Sequence, residues 1–291
     1  HFESGDFRNS DPVKVLRALG DRISDALAVC SSSGITVVGA GIGLPGLVDR
    51  RAADAVLQVA PNLGWRHIAP ATYIGHGLRK SLNVTADNDA NLQAIAAAYR
   101  SPGAVRGVAD FLYVSGDVGV GGAIVLDGEV FRGMHGWAGE LGHFLVDSNG
   151  PQCPCGARGC LEMYAGKVAI HTAAGIDPEQ PSQVLIEALE AGDTRALAAV
   201  SVAGEALGVT LSNAINLLDV STVVLGTGIG RIIEWLRPAV LGVLDHRLLS
   251  RGNLQVELLA APADDAPAST GAAYLALGPV LDAAVAAESV R

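Results

Sequence analysis

A short cysteine-rich stretch carries the residue types best suited to binding a metal ion. Cys153, Cys155 and Cys160 lie within eight positions, and His143 precedes the first of them by ten residues. Three thiolates and one imidazole make a complete tetrahedral set for structural zinc, with no coordination position left open for water. Glycines and a proline among them allow the loop to turn tightly. The spacing therefore predicts a structural zinc loop and not a catalytic zinc site.

A disulfide is the alternative for these cysteines, and it would leave His143 without a role. Cys153 and Cys155 are separated by one residue, which makes pairing between them difficult, and the sequence shows no secretory leader. Two acidic residues, Glu140 and Glu162, flank the loop and are not needed as ligands. We interpret the loop as a support that holds these carboxylates in place.

The composition limits the class of protein. The 291 residues suffice for two domains, and with 49% hydrophobic and 17% charged residues the chain is typical of a globular protein. A net charge of −10 argues against direct binding of nucleic acid, which needs clustered Lys and Arg. We identify no apolar run of the ~18 residues that a membrane span requires. We expect a cytoplasmic protein without membrane contact, and we expect Cys30 to be a buried apolar residue.

Polar residues follow a predicted strand in the first third of the chain. The strand at 83–86 ends in Asp87-Asn88-Asp89-Ala90-Asn91, and a helix is predicted over 92–99. Asp87 or Asn91 can act as helix caps. A carboxylate at a strand's carboxyl end lies where open α/β sheets bind ligands, so Asp89 is a candidate base for a sugar hydroxyl. The preceding β-branched run, 35–42, predicts an interior parallel strand that leads into the Gly43–Gly46 turn.

A glycine-rich turn joins two predicted strands, 111–115 and 122–126. Its residues Gly116, Asp117, Gly119 and Gly121 resemble a phosphate-binding turn, but Asp117 would place a negative charge beside a phosphate. Beyond it, Asp127-Gly128 predicts a two-residue hairpin turn. Helices are predicted over 168–174, 181–190, 194–218, from 227 towards 246 and after 267, with strands over 221–226 and 254–260.

Segments spread over most of the chain resemble one family. This is the ROK family, which comprises repressors, uncharacterised open reading frames and sugar kinases. The segments that resemble it, in the family's order, are GIGLPGLVD, NDAN, SGDVGVGGAIVLDG, GELGH with CPCGARGCLE, STVVLGTG and STGAAYLAL. The resemblance implies an α/β, actin-like and ribonuclease-H-like fold with two domains and a sugar cleft. We assign residues 1–101 and 270–291 to one domain, and 102–269, with the zinc loop 139–162, to the other.

The same resemblance implies roles for particular residues. The side chains that would hydrogen-bond sugar hydroxyls are those of Asn88, Asp89, Glu140, His143 and Glu162. Gly43 and Gly46 would line the site through their backbone, and His143 would serve as both zinc ligand and sugar contact. Asp89 occupies the position of the general base in the family's kinases.

The sequence also departs from the kinases of the family. They carry an Asp-x-Gly-Gly-Thr phosphate loop near the N-terminus, and the residues shown begin with a loop and a helix instead. We therefore expect the first strands to be missing from the chain shown. Where kinases have Gly-Thr-Gly, this chain has Gly116-Asp117-Val118, which resembles a degenerate phosphate loop of the family's regulators.

Two functions remain open, with a degenerate scaffold as a third and poorer interpretation. The first is the sugar-sensing domain of a ROK transcriptional regulator, which binds a hexose or amino sugar and contacts DNA only through a winged helix-turn-helix outside the residues shown. The second is a Mg²⁺-ATP-dependent kinase for glucose or an N-acetylhexosamine, with Asp89 as base. Either would be a homo-oligomer, a dimer or a dimer of dimers, by analogy with the family.

Overall fold

The chain divides into two compact units in a computed structural model that describes residues 7–51, 54–74, 82–101, 104–116 and 118–288. Unit 1 comprises His1–Arg106, Arg132–Ala138 and Ala266–Arg291. Unit 2 comprises Gly107–Phe131 and Gly139–Asp265. The chain therefore passes between the units several times.

The described residues form both strands and helices. The strands are β1 (Gly39–Leu44), β2 (Leu47–Asp49), β3 (Val56–Ala60), β4 (Trp65–Ile68), β5 (Asn83–Asn88), β6 (Tyr99–Ser101), β7 (Ala104–Val105), β8 (Phe111–Ser115), β9 (Gly121–Leu126), β10 (Glu129–Val130), β11 (Thr222–Leu225) and β12 (Glu257–Ala260). The helices are α1 (Pro12–Ser32), α2 (Pro70–Tyr73), α3 (Asp89–Ala98), α4 (Glu162–Ala165), α5 (Lys167–Ala174), α6 (Ser182–Glu190), α7 (Thr194–Leu218), α8 (Thr227–Gly230), α9 (Ile233–Arg247) and α10 (Pro267–Glu288). A 3₁₀ turn covers Leu141–His143.

Unit 1 is built around the parallel pair β1 and β5. Their register places Gly43 beside Asp87 and Leu44 beside Asn88, so both strands end at the same edge. One face of β1 consists of alternate glycines, and a Cβ on Gly41 would lie 2.7 Å from the Cβ of Ala272 in α10. This close approach of helix and strand is possible because neither residue has a larger side chain.

The prediction of an interior strand at 35–42 is wrong in two respects. Residues 36–38 are outside β1, which begins at Gly39, and Ile35 is 58% exposed. Among the described residues β1 pairs only with β5, so it is an edge strand of a two-stranded sheet. β-branched residues favour extended backbone, but they do not determine whether a neighbouring strand is present.

Helix α1 covers the other face of unit 1 and has a well-defined N-terminal cap. The side chain of Asp11 accepts a hydrogen bond from Val13 N, and Pro12 takes the first helical position. Leu16 is buried in one apolar cluster with Trp65 and other residues of β1, β2, β3 and β5. Cys30 is half-buried, so the expectation that it is fully buried is wrong.

Unit 2 contains a five-stranded sheet in the order β10-β9-β8-β11-β12. β11 runs parallel to both β8 and β12, whereas β8 and β9 form an antiparallel hairpin. The predicted turn between β9 and β10 is confirmed, since Asp127 and Gly128 have φ of 54° and 80°.

Helix α7 is the longest helix of unit 2 and has the predicted bounds, Thr194–Leu218. It packs closely on α9, because a Cβ on Gly208 would lie 2.7 Å from the Cβ of Val243. Contrary to the expectation from the sequence, α7 is long and apolar enough to meet the length and composition of a membrane span. About two thirds of its most apolar window (67%) is buried within the protein, as in the core helix of a globular domain.

Candidate functional site

The predicted metal ligands come together in unit 2. The donor atoms of His143, Cys153, Cys155 and Cys160 all lie within 4.8 Å of one another. The Sγ atoms of Cys155 and Cys160 are 3.7 Å apart, and Cys153 Sγ lies 3.8 Å from His143 Nδ1. All the cysteines are free thiols, so the disulfide alternative is wrong. Two thiolates bound to one tetrahedral zinc lie about 3.8 Å apart, so the donor set fits a metal ion of this kind.

Backbone hydrogen bonds and glycines shape the loop around these donors. Cys153 N donates to Ala157 O at 2.8 Å, and Gly156, at φ +101°, allows the chain to reverse between them. Gly159 has φ +66°, and a Cβ there would overlap the carbonyl oxygen of Asp147. Gly159 therefore has no room for a side chain, whereas Gly156 is favoured by its positive φ alone.

The environment of the two buried thiols, Cys153 and Cys160, favours their neutral forms when no cation is near, whereas hydrogen bonds from Ala157 N and from the neighbouring thiols lower the pKa of the exposed Cys155. Burial raises the pKa of the Cys153 thiol to about 12 and also raises the pKa of Cys160. A coordinated divalent cation reverses this preference, since it deprotonates a thiol directly. These buried cysteines, 2% and 1% exposed, are suited to a permanently bound ion and not to exchange with solvent.

The two flanking carboxylates of the loop occupy different environments. His143 turns Nδ1 towards the sulfurs, and its Nε2 lies 4.0 Å from Glu140 Oε2. Glu162 is the first residue of α4, and its Oε2 accepts a hydrogen bond from Val120 N at 3.1 Å. The metal loop therefore orients His143 through one ring nitrogen and connects to the glycine-rich turn through Glu162.

In unit 1, Asp87 is the centre of an ionic network that the sequence did not predict. Its side chain is 2% exposed, and Oδ2 accepts from Arg50 Nη1 at 2.9 Å and from Arg132 Nη2 at 2.8 Å. Oδ1 accepts from Asn88 N and from Asn91 Nδ2. Burial lowers the pKa of Arg50, and the Asp87 charge opposes this shift. One buried carboxylate thus holds the end of β5, the residue after β2, and the segment that follows β10.

The helix cap after β5 differs from the one predicted. Asn88 caps α3, because its Oδ1 accepts from Ala90 N at 2.8 Å and Asn91 N at 3.2 Å. Its Nδ2 donates to Gly46 O at 2.9 Å. Asp87 and Asn91 instead bond each other, so the expectation that one of them caps the helix is wrong. Asp89 is the first residue of α3 and is half-buried.

The glycines of unit 1 are constrained by packing. Gly46 has φ +102°, and a Cβ there would overlap the carbonyl oxygen of Val59. Gly43 faces α3, where a Cβ would lie 3.2 Å from Leu92 Cδ1. The hydrogen bond from Asn88 Nδ2 to Gly46 O brings these two predicted site residues together, and Asp89 follows Asn88 in the chain.

The glycine-rich turn lies in unit 2 beside the metal loop. Asp117 lies outside the described residues. Gly116 directly follows β8, Gly119 lies within the turn, and Gly121 is the first residue of β9. A Cβ on Gly116 would lie 2.7 Å from the Cβ of Ile229, so the isoleucine packs directly on this glycine. The buried His171 lines a cavity of about 20 Å³ at this point, which is space for a single water molecule.

Comparisons with known proteins agree with the resemblance of the sequence segments. The ROK family model matches residues 9–278. The xylose repressor of Bacillus subtilis is 32% identical over 234 residues, which cover 79% of this chain and 58% of that protein. The chain spans just over half the length of such curated repressors.

Solved structures of two functional kinds share the fold. A ROK family transcriptional regulator, a homologue of the E. coli MLC protein, matches with a TM-score of 0.77 and 24% identity, over 92% of this chain and 70% of that one. A ROK family glucokinase from Streptomyces griseus, solved with glucose and AMPPNP, matches with a TM-score of 0.73 and 28% identity, over 89% and 87%. Repressors and sugar kinases are thus both among the relatives. The chain belongs to the ROK family.

Proposed function

We propose that this chain is the sugar-binding part of a ROK transcriptional regulator, with the actin-like fold of that family. The observation that carries the proposal is the rigidly built end of β5. Asn88 and Asp89 emerge from a junction that the Asp87 network fixes from several directions. A polar site whose backbone is held in advance binds a ligand at a lower entropic cost.

The sugar contacts that we propose are polar groups in each unit. In unit 1 they are Asp89 and Asn88, with the backbone of Gly43 and Gly46. In unit 2 they are Glu140, His143 and Glu162. Carboxylates accept hydrogen bonds from vicinal hydroxyls, and the Nε2–H of a metal-bound His143 is a donor. The proposed ligand is a hexose, a pentose such as xylose, or an amino sugar.

A structural zinc ion completes the site in this proposal. Its ligands are His143, Cys153, Cys155 and Cys160, and four protein ligands leave the ion no role in chemistry on the sugar. What the ion supplies is rigidity. It fixes the ring of His143, and through the short link from Cys160 to Glu162 it fixes a second proposed sugar contact.

The surroundings of the glycine-rich turn favour a sensor over a kinase. Ile229 fills the space beside Gly116, and the nearby cavity has room for one water molecule. In the sequence, Asp117 adds a negative charge to a turn that would have to accept phosphate. The packed isoleucine and the negative charge of Asp117 both work against binding of a nucleoside triphosphate at this turn.

A regulator of this kind works by preferential binding. The sugar stabilises one of two states of the protein, and those states differ in affinity for DNA, which a separate part of the full-length protein would contact. The acidic charge of −10 suits a domain that does not contact DNA itself. We place the protein in the cytoplasm, as a homo-oligomer.

A kinase remains the second candidate, because the segment around Asp89 resembles the one that carries the general base in the family's kinases. In that case Mg²⁺-ATP would be the phosphoryl donor and Asp89 would accept the proton of a sugar hydroxyl. ADP release is the discriminating experiment, measured with the full-length protein, Mg²⁺-ATP and D-glucose, D-xylose or N-acetylmannosamine. We expect no sugar-dependent ADP from the protein or from Asp89→Asn. Turnover that Asp89→Asn abolishes would establish the kinase and refute the sensor.

A further inference from the structure

The segment Arg132–Ala138 forms a closed loop in unit 1, which we call the platform loop. Ala138 N donates to Arg132 O at 3.0 Å, so the two ends of the loop are joined. Gly133 and Gly136 adopt φ of +69° and +87°, which other residues rarely adopt. The loop therefore has a defined shape that depends on its sequence.

Two polar contacts attach the platform loop to the part of unit 1 that carries Asp89. At its start, Arg132 binds Asp87, which precedes Asp89 by two residues. At its middle, His135 Nδ1 lies 2.9 Å from Arg51 Nη1, and Arg51 is in turn held by Asp49 at 2.7 Å. The loop is thus fixed beside the carboxyl ends of both β2 and β5.

The outer side of the platform loop presents aromatic rings to solvent. Trp137 is 36% exposed, and its ring lies 5.4 Å from that of His135, with an angle of 35° between the planes. Met134 beside them is 86% exposed. Two aromatic rings held in one arrangement by a closed loop and ion pairs form a preorganised apolar surface with a polar rim.

We propose that Trp137 and His135 form a stacking subsite for the part of the ligand beyond the sugar ring that Asp89 contacts. This inference rests on the proposed function. A pyranose ring has an apolar face of C–H groups, which packs well on the negative face of an indole. The ligand class is therefore a disaccharide or a glycoside with an apolar aglycone, and the free monosaccharide would leave the subsite empty.

The test compares ligands that differ only in the group beyond the sugar ring. The full-length protein would be titrated calorimetrically with the methyl and phenyl β-glycosides of xylose and of glucose, and with xylobiose and cellobiose. Stacking on an aromatic ring contributes a factor of about 3 to 10 in affinity. We expect phenyl glycosides and disaccharides to bind more tightly than the methyl glycosides by this factor.

Three variants locate the effect. Trp137→Ala should abolish the preference while leaving affinity for the methyl glycosides within about twofold of the wild type, and Trp137→Phe should retain most of it. Met134→Ala is the matched control on the same loop and should bind like the wild type. A role in stacking predicts that Trp137→Ala lowers the ratio of phenyl-glycoside to methyl-glycoside affinity and leaves the methyl-glycoside affinity itself unchanged. A purely structural role of Trp137 does not predict this combination.

The outcomes separate this inference from the proposed function. If methyl glycosides bind but Trp137→Ala leaves the ratio unchanged, or weakens all ligands equally, the stacking subsite is refuted and sugar binding stands. If no monosaccharide and no glycoside binds the wild type, the proposed function and the subsite are both refuted.

Discussion

The Asp87 network provides the sharpest prediction about stability. Replacing Asp87 by alanine removes a carboxylate that is 2% exposed and leaves Arg50 and Arg132, which are 28% and 25% exposed, without their common partner. Breaking a buried ion pair by removing one partner costs about 3–5 kcal/mol. Because a quarter of each guanidinium side chain reaches solvent, we expect the lower end, about 3 kcal/mol of unfolding free energy.

The assay has to report on unit 1 alone. Hydrogen exchange followed by mass spectrometry resolves the peptide over β5 and α3, and its protection measures the free energy of local opening. We expect the amides of this peptide to exchange about 100-fold faster in Asp87→Ala, which corresponds to roughly 3 kcal/mol. Asp87→Asn keeps the shape and loses the charge, so an intermediate effect is expected.

A matched control removes the other carboxylate that holds an arginine nearby. Asp49 pairs with Arg51, whose side chain is 55% exposed. The side-chain hydrogen bond from Arg51 lowers the pKa of Asp49 to about 2, but Arg51 reaches solvent and stays hydrated, so the pair contributes little to stability. Asp49→Ala should therefore leave exchange over β5 and α3 close to that of the wild type. Equal effects of the two alanine variants would refute the view that Asp87 organises the site.

Other predictions concern the metal loop and the cavity. Cys155→Ala should reduce bound zinc from about one ion per chain and weaken sugar binding about 10- to 100-fold, checked by elemental analysis and calorimetry; undiminished sugar affinity without zinc would contradict it. Gly159→Ala should lower the free energy of unfolding by well over ~2 kcal/mol, measured by thermal unfolding, because its Cβ would overlap Asp147. In Gly156→Ala the new Cβ meets no neighbour, so the positive φ alone should cost about 1–2 kcal/mol. Burial lowers the pKa of His171, so the unfolded chain binds a proton more readily, and His171 lowers stability as pH falls below about 6.5. His171→Leu should therefore flatten the dependence of the melting temperature on pH between 7 and 5, and an unchanged slope would refute this.

The features that the sequence predicts best are local ones. The four metal donors lie within eighteen consecutive residues, so their spacing alone indicates that they meet. Helix α7 follows Asp193 as a capping residue and keeps its apolar pattern to Leu218, which is why both of its ends were predicted. The turn at Asp127-Gly128 is equally local, because two residues with positive φ determine it.

The features that the sequence did not predict depend on distant partners. Arg50 and Arg132 are 37 and 45 residues from Asp87, and no periodicity connects them. Asp87 binds both arginines, and the residue that caps α3 is Asn88. The bond from Val120 N to Glu162 likewise joins residues 42 positions apart. Such pairs follow from tertiary packing, which single-sequence patterns do not contain.

Sugar binding itself is the most direct test of the function proposed for this ROK protein. The zinc-loaded full-length protein would be titrated calorimetrically with D-xylose, D-glucose and N-acetylmannosamine, without nucleotide, beside Asp89→Ala and Glu162→Ala. We predict saturable binding of at least one of these sugars, weakened at least 10-fold by either substitution, because each removes a charged hydrogen-bond acceptor. Absence of binding to the wild type, or affinities that neither substitution changes, would contradict the account.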